Sequence, residues 1–141
     1  MQERDDAAVS SSVTTVLASD SYAPGSARRE LEEFVPDLPA ARMNEARILV
    51  TELVTNSVLH AADGSVEFTL RLTPAHLAIE VTDGGGATRP ELVAGGAEAE
   101  RPHGWGLRIV ESLTDSWGVR DAPGRRTVWC ELRIAEDDGS A

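Results

Sequence analysis

Glu52, Asn56 and His60 fall four residues apart in the run Glu52-Leu-Val-Thr-Asn56-Ser-Val-Leu-His60. In a helix that spacing sends all three side chains from one side. A row of carboxylate, amide and imidazole can do chemistry. The asparagine carbonyl can bind a hard cation, and a glutamate one turn earlier can take a proton from a hydroxyl or a water. A solvated polar face has the same composition, so the row by itself does not decide between the two.

Two other stretches carry comparable signals. Asp83 ends an alternating segment and meets Gly84-Gly-Gly86. A carboxylate there can accept a hydrogen bond from an exocyclic amine, and glycines let a flat ring approach the backbone; Asp-Gly is equally an ordinary turn pair. Gly104-Trp-Gly106-Leu107 stands just ahead of a helical pattern. Free N–H groups and the positive end of the helix dipole make such a start an anion site. All thirteen positive side chains are arginine. A phosphate loop built on lysine is therefore excluded, and a phosphate site must use backbone N–H groups, a metal ion or arginine.

The elements that would position these residues follow from periodicity. Small and apolar residues at Val50, Leu53, Val54, Ser57 and Ala61 form the seam of a long helix starting near Ala41, with the Glu52–His60 row facing away from it. Asp63-Gly64 stops it. Before it, Val13 to Leu17 reads as a first strand, and a helix opening at Pro24 or Ser26 runs to Val35, ended by Pro36 and Pro39. After it, Val66 to Leu72 and Leu77 to Thr82 alternate apolar and polar, as an antiparallel hairpin of half-buried strands does; His76 falls at their connection and should be exposed. Residues 84–103 are glycine-rich, contain Pro90 and Pro102 and have no period, which suits a lid or binding loop. Leu107, Ile109, Val110 and Leu113 mark another helix, then short strands at Trp117–Val119 and Thr127–Ile134 flank a turn at Ala122-Pro-Gly-Arg. Strands and helices do not alternate strictly. The expected fold class is α+β, an α/β sandwich: a mixed, mainly antiparallel sheet with helices packed on one face.

At 141 residues this is one domain with a core of its own, expected over residues 9–135, between a frayed N-terminus (1–8) and a disordered acidic tail (136–141). The net charge of −11 argues against nucleic acid or an anionic membrane as partner, since both need a basic footprint. The single cysteine, Cys130, excludes an internal disulfide and a cysteine metal site. No apolar run reaches membrane-spanning length and the start lacks the features of a signal peptide, so a cytoplasmic protein is expected.

In order, the chain reads E-x-x-x-N on a helix, a strand ending D-x-G, a glycine-rich lid, then G-x-G-L opening a helix. This resembles the GHKL ATPase superfamily of gyrase, Hsp90, MutL and histidine-kinase catalytic domains, which has a Bergerat-type ATP-binding fold. The ELVTNSVLHA stretch is most similar to the stand-alone anti-sigma-factor serine kinases. The resemblance implies ATP and Mg²⁺ as ligands. It implies Asn56 on the metal, Glu52 as general base, and Asp83 on the adenine amine with Gly85 making room. Gly104, Gly106 and Leu107 would meet phosphates through their amides, and Thr127 would lie near the nucleotide with His60 as a supporting neighbour. Partners implied are a sigma factor and an anti-sigma-factor antagonist; a homodimer is a separate expectation. Relatives often carry a basic residue just before the histidine, where this sequence has Leu59. A non-catalytic ATP-gated binding module and a detached histidine-kinase catalytic domain are the alternatives.

Overall fold

The computed structural model describes residues 11–60, 64–84 and 102–135, with the side chains of 102–107 outside that description. The expected frayed start, the acidic tail, Gly85 and the lid up to Arg101 lie outside the described residues. Eight elements follow in order: β1 (Ser11–Ala18), α1 (Ala23–Phe34), α2 (Ala40–His60), β2 (Ser65–Leu72), β3 (His76–Asp83), α3 (Pro102–Leu113), β4 (Ser116–Ala122) and β5 (Arg125–Arg133). The sequence-based order holds throughout, with boundaries shifted by a few residues. The largest shift is at α3, which starts at Pro102 rather than after Gly106, because proline at a first helical position has its φ preset and no N–H to satisfy.

The strands form one sheet in the order β1-β2-β3-β5-β4. Every described neighbour pair is antiparallel, where the sequence suggested a mixed sheet. The connectivity explains the difference. From β3 the chain passes through α3 to β4, which runs parallel to β3, as a crossover helix permits. The β4–β5 hairpin then folds back and places β5 between them. The parallel pair never touches. That hairpin closes in two residues, Pro123 and Gly124, with Ala122 opposite Arg125. Gly124 has φ +72°, the sign required after a proline in a tight type II turn.

The core lies between one sheet face and the helices. Val66, Phe68 and Leu70 of β2, Leu77, Ile79 and Val81 of β3, and Val128, Cys130 and Leu132 of β5 are buried there. Against them pack Ala27 and Leu31 of α1 and Ala46, Leu49, Val50, Leu53 and Val54 of α2. Arg47 pairs with Glu32 at 2.8 Å and Arg28 donates to Thr51 at 2.8 Å, which fixes α1 beside α2. The opposite sheet face is a polar lattice, with Arg71 paired to Glu80 and the Arg120 guanidinium 5.9 Å over the Trp129 ring. Gly118 is small for a reason: a Cβ there would lie 2.9 Å from that indole. No helix among the described residues is long and apolar enough to cross a membrane.

Cys130 sits in mid-core, and burial pushes its thiol up to about 12. Because the thiolate is the reactive form, a thiol-specific disulfide reagent at pH 8 should leave the native protein unlabelled and label one thiol after denaturation. Prompt labelling of native protein would mean that β5 opens in solution.

Candidate functional site

The long helix α2 positions the first part of the site. A helix turns by about 100° per residue, so residues four apart advance by about 40°. The Glu52–Asn56–His60 row is therefore a shallow spiral. It starts at the helix flank with Glu52, half-buried, and enters the packed side at Asn56, which is 3% exposed. The row is thus not a solvated face pointing away from the seam. α2 packs against α1, α3 and the sheet, so its buried arc is wider than a one-sided seam.

Asn56 Oδ1 is buried and has no hydrogen-bond partner among the described residues. An orphaned buried oxygen of this kind costs about 1–3 kcal/mol. Glu52 lies one turn earlier, and burial raises its carboxyl pKa above the ordinary glutamate value. That shift moves it toward the range of a working general base.

Asp83 is the last residue of β3 and continues the alternation of Leu77, Ile79 and Val81. It therefore points to the helix side of the sheet and is buried. Ser57, next to Asn56, donates to Asp83 Oδ2 at 2.7 Å. That bond joins α2 to the end of β3 and brings two of the predicted parts into one site. Arg126 of β5 completes the group, its Nη2 lying 3.3 Å from both carboxylate oxygens of Asp83.

The remaining predicted residues are placed differently. Gly104, Gly106 and Leu107 belong to the first two turns of α3, which packs against α2. With the helix starting at Pro102, the Gly104 amide is among the unpaired first-turn donors, whereas the Gly106 amide faces the Pro102 carbonyl. Thr127 is on the other face of the sheet, where its hydroxyl shares a 2.7 Å hydrogen bond with Thr82. The side chain that β5 sends to Asp83 is Arg126, its neighbour. Strand alternation is the reason, because successive residues point to opposite faces.

Sequence reasoning missed Ser57 and Arg126. In sequence Ser57 reads as a small residue of the seam. Arg126 was legible: stepping back by two from Leu132, Cys130 and Val128 places an arginine on the core side, where an arginine needs an anionic partner.

The donor set can be tested against a magnesium ion. Among the described residues no cluster of three histidine, cysteine or acidic side chains could hold a metal. A single neutral oxygen such as Asn56 Oδ1 suits Mg²⁺, which takes few protein ligands and fills its shell with water and substrate phosphates. The residues present fit that ion.

A family described as the histidine kinase-like ATPase domain matches residues 17–132. The chain belongs to it. This histidine kinase-like ATPase domain is similar in fold to the structure of the RsbU and RsbW domains of Rv1364c from Mycobacterium tuberculosis, with TM-score 0.68 and 19% identity. That match covers 89% of this chain and 32% of the other, so the domain spans about a third of that protein. It is also similar to the Acinetobacter baumannii histidine kinase AdeS, with TM-score 0.50 and 12% identity over 88% of this chain and 68% of that one. No curated protein matches it. The expected α+β architecture of the GHKL type is therefore the observed one.

Proposed function

We propose that the chain binds Mg²⁺-ATP, transfers phosphate to a serine of a small antagonist protein, and sequesters a sigma factor when not so engaged. The observation that carries the site is the juxtaposition on α2: Asn56 with a buried oxygen lacking a partner among the described residues, Ser57 tied to Asp83, and Glu52 one turn earlier. The partners rest on the resemblance of the ELVTNSVLHA stretch, and the likeness in fold to the Rv1364c structure, which contains an RsbW domain, accords with it.

Each residue has a task in this reading. Asp83, oriented by Ser57, accepts the exocyclic amine of adenine. Asn56 Oδ1 would hold the metal, whose charge would offset that of the phosphates. Glu52 takes the proton from the serine hydroxyl as its oxygen bonds to the γ-phosphorus and the bond to the β–γ bridging oxygen breaks, releasing ADP. The backbone amides at the start of α3, Gly104 among them, donate to phosphate oxygens, and Gly85 and Leu107 complete the nucleotide's surroundings. Thr127, on the far face, is given no part. The cell compartment proposed is the cytoplasm, and no nucleic acid or membrane partner is invoked.

Mass spectrometry of candidate antagonists after incubation with the wild-type chain and Mg²⁺-ATP tests the transfer. A serine gaining one phosphate is expected; antagonists that bind yet stay unmodified exclude the kinase.

Asp83→Asn tests the base contact. A charge-assisted hydrogen bond contributes roughly 1.5–3 kcal/mol, so ATP affinity should fall by about tenfold or more. Discrimination against GTP should also narrow, since asparagine can donate to the guanine O6 that a carboxylate repels. An unchanged preference for ATP over GTP would exclude Asp83 from the base site.

A further inference from the structure

We propose that Arg126 is a built-in occupant of the carboxylate that reads the base, so that a nucleotide enters by exchanging with it. This rests on Asp83 being the base contact. The Asp83 side chain has 0% of its surface exposed and the Arg126 side chain 3%. A carboxylate offers about four acceptor positions. Ser57 uses one on Oδ2, and the Arg126 Nη2 straddles both oxygens. The guanidinium thus takes two of the three positions that Ser57 leaves, and an exocyclic amine entering this buried group competes with it.

The geometry suits an exchangeable partner rather than a permanent clamp. One nitrogen serves both oxygens at 3.3 Å, longer than the 2.7–2.9 Å of a strong fork-to-fork pair. Ser57, by contrast, holds its oxygen at 2.7 Å from the buried side of the last turn of α2. When Arg126 leaves, Asp83 keeps its orientation. Arg126 also stands two residues past Gly124, at the end of the β4–β5 hairpin, beside the exposed Arg125. Base binding is therefore opposed by the loss of an ion pair, and residue 126 sets how strongly.

Calorimetry with adenosine, which lacks phosphates and so is blind to the lost positive charge, measures this directly. Arg126→Gln keeps an N–H donor for Asp83 but removes the charge. Since charged hydrogen bonds are about twice as strong as neutral ones, adenosine should bind about five- to tenfold tighter. Arg126→Lys, which keeps the charge, should show a smaller gain. Equal or weaker binding by folded Arg126→Gln overturns the proposal.

A second measurement uses the wild-type chain with ¹⁵N-labelled arginine, and Arg126→Lys to assign the signal. One guanidinium signal, missing in Arg126→Lys, should be protected from hydrogen exchange and lose that protection when adenosine saturates the site. Protection that survives saturation overturns the exchange. Asp83→Asn separates the two levels: adenosine binding unaffected by that change removes the base-site assignment and this proposal together. If Asp83→Asn weakens binding while Arg126→Gln does not strengthen it, the Arg126 proposal alone falls.

Discussion

Glu52→Gln should bind Mg²⁺-ATP almost as the wild type does and lose phosphotransfer by about 10²–10⁴-fold, the usual contribution of a general base. Gln has the size and hydrogen-bonding groups of Glu but cannot take a proton near neutrality. Burial raises the Glu52 carboxyl pKa, so the acid limb of the wild-type rate profile should lie above the ordinary glutamate range and vanish in the variant. The same shift makes a stability statement. A carboxyl whose folded pKa exceeds its unfolded one favours folding below the unfolded pKa, and that contribution is lost as pH rises through the folded pKa. Above its folded pKa Glu52 is a desolvated charge, and there Glu52→Gln should melt no lower than the wild type. A loss of both stability and activity would make Glu52 structural. A purely gating module predicts no phosphotransfer from the wild type and no change in Glu52→Gln beyond nucleotide affinity.

The parts of this site that sequence revealed are those carried by one element at a time. Glu52, Asn56 and Asp83 each announce themselves by local context: a four-residue spacing on a helix, and a carboxylate at the end of a period-2 run. What joins them depends on tertiary placement. Ser57 looks like any small seam residue until β3 is laid against α2 and its hydroxyl meets Asp83 at 2.7 Å. The Thr127 expectation rests on likeness of motif, whereas the parity of β5 puts Thr127 on the sheet face opposite Asp83 and Arg126 on the same face as Asp83. The all-antiparallel sheet was hidden for a similar reason. Nothing local in residues 125–133 says that β5 inserts between β3 and β4, because strand order comes from which edges the helix crossover leaves open.

Asn56→Ala should abolish most of the advantage that magnesium gives to ATP binding. Loss of residues that merely support a metal ligand costs about 10–100-fold in metal affinity, and a direct ligand should cost no less. The sharper expectation is non-additivity. EDTA should weaken ATP binding to the wild type but leave the variant's already weak binding nearly unchanged, because both act on one interaction. Stability should move the other way from binding. Most buried polar residues are satisfied, and truncating them loses a hydrogen bond; Asn56 Oδ1 has none among the described residues, so its removal relieves a desolvation cost of about 1–3 kcal/mol that offsets the small cavity left behind. An unfolding midpoint close to wild type, together with metal-insensitive ATP binding, is the signature of an oxygen kept buried for a cation. Equal ATP affinity of wild type and Asn56→Ala, with and without EDTA, would show that the oxygen serves no metal.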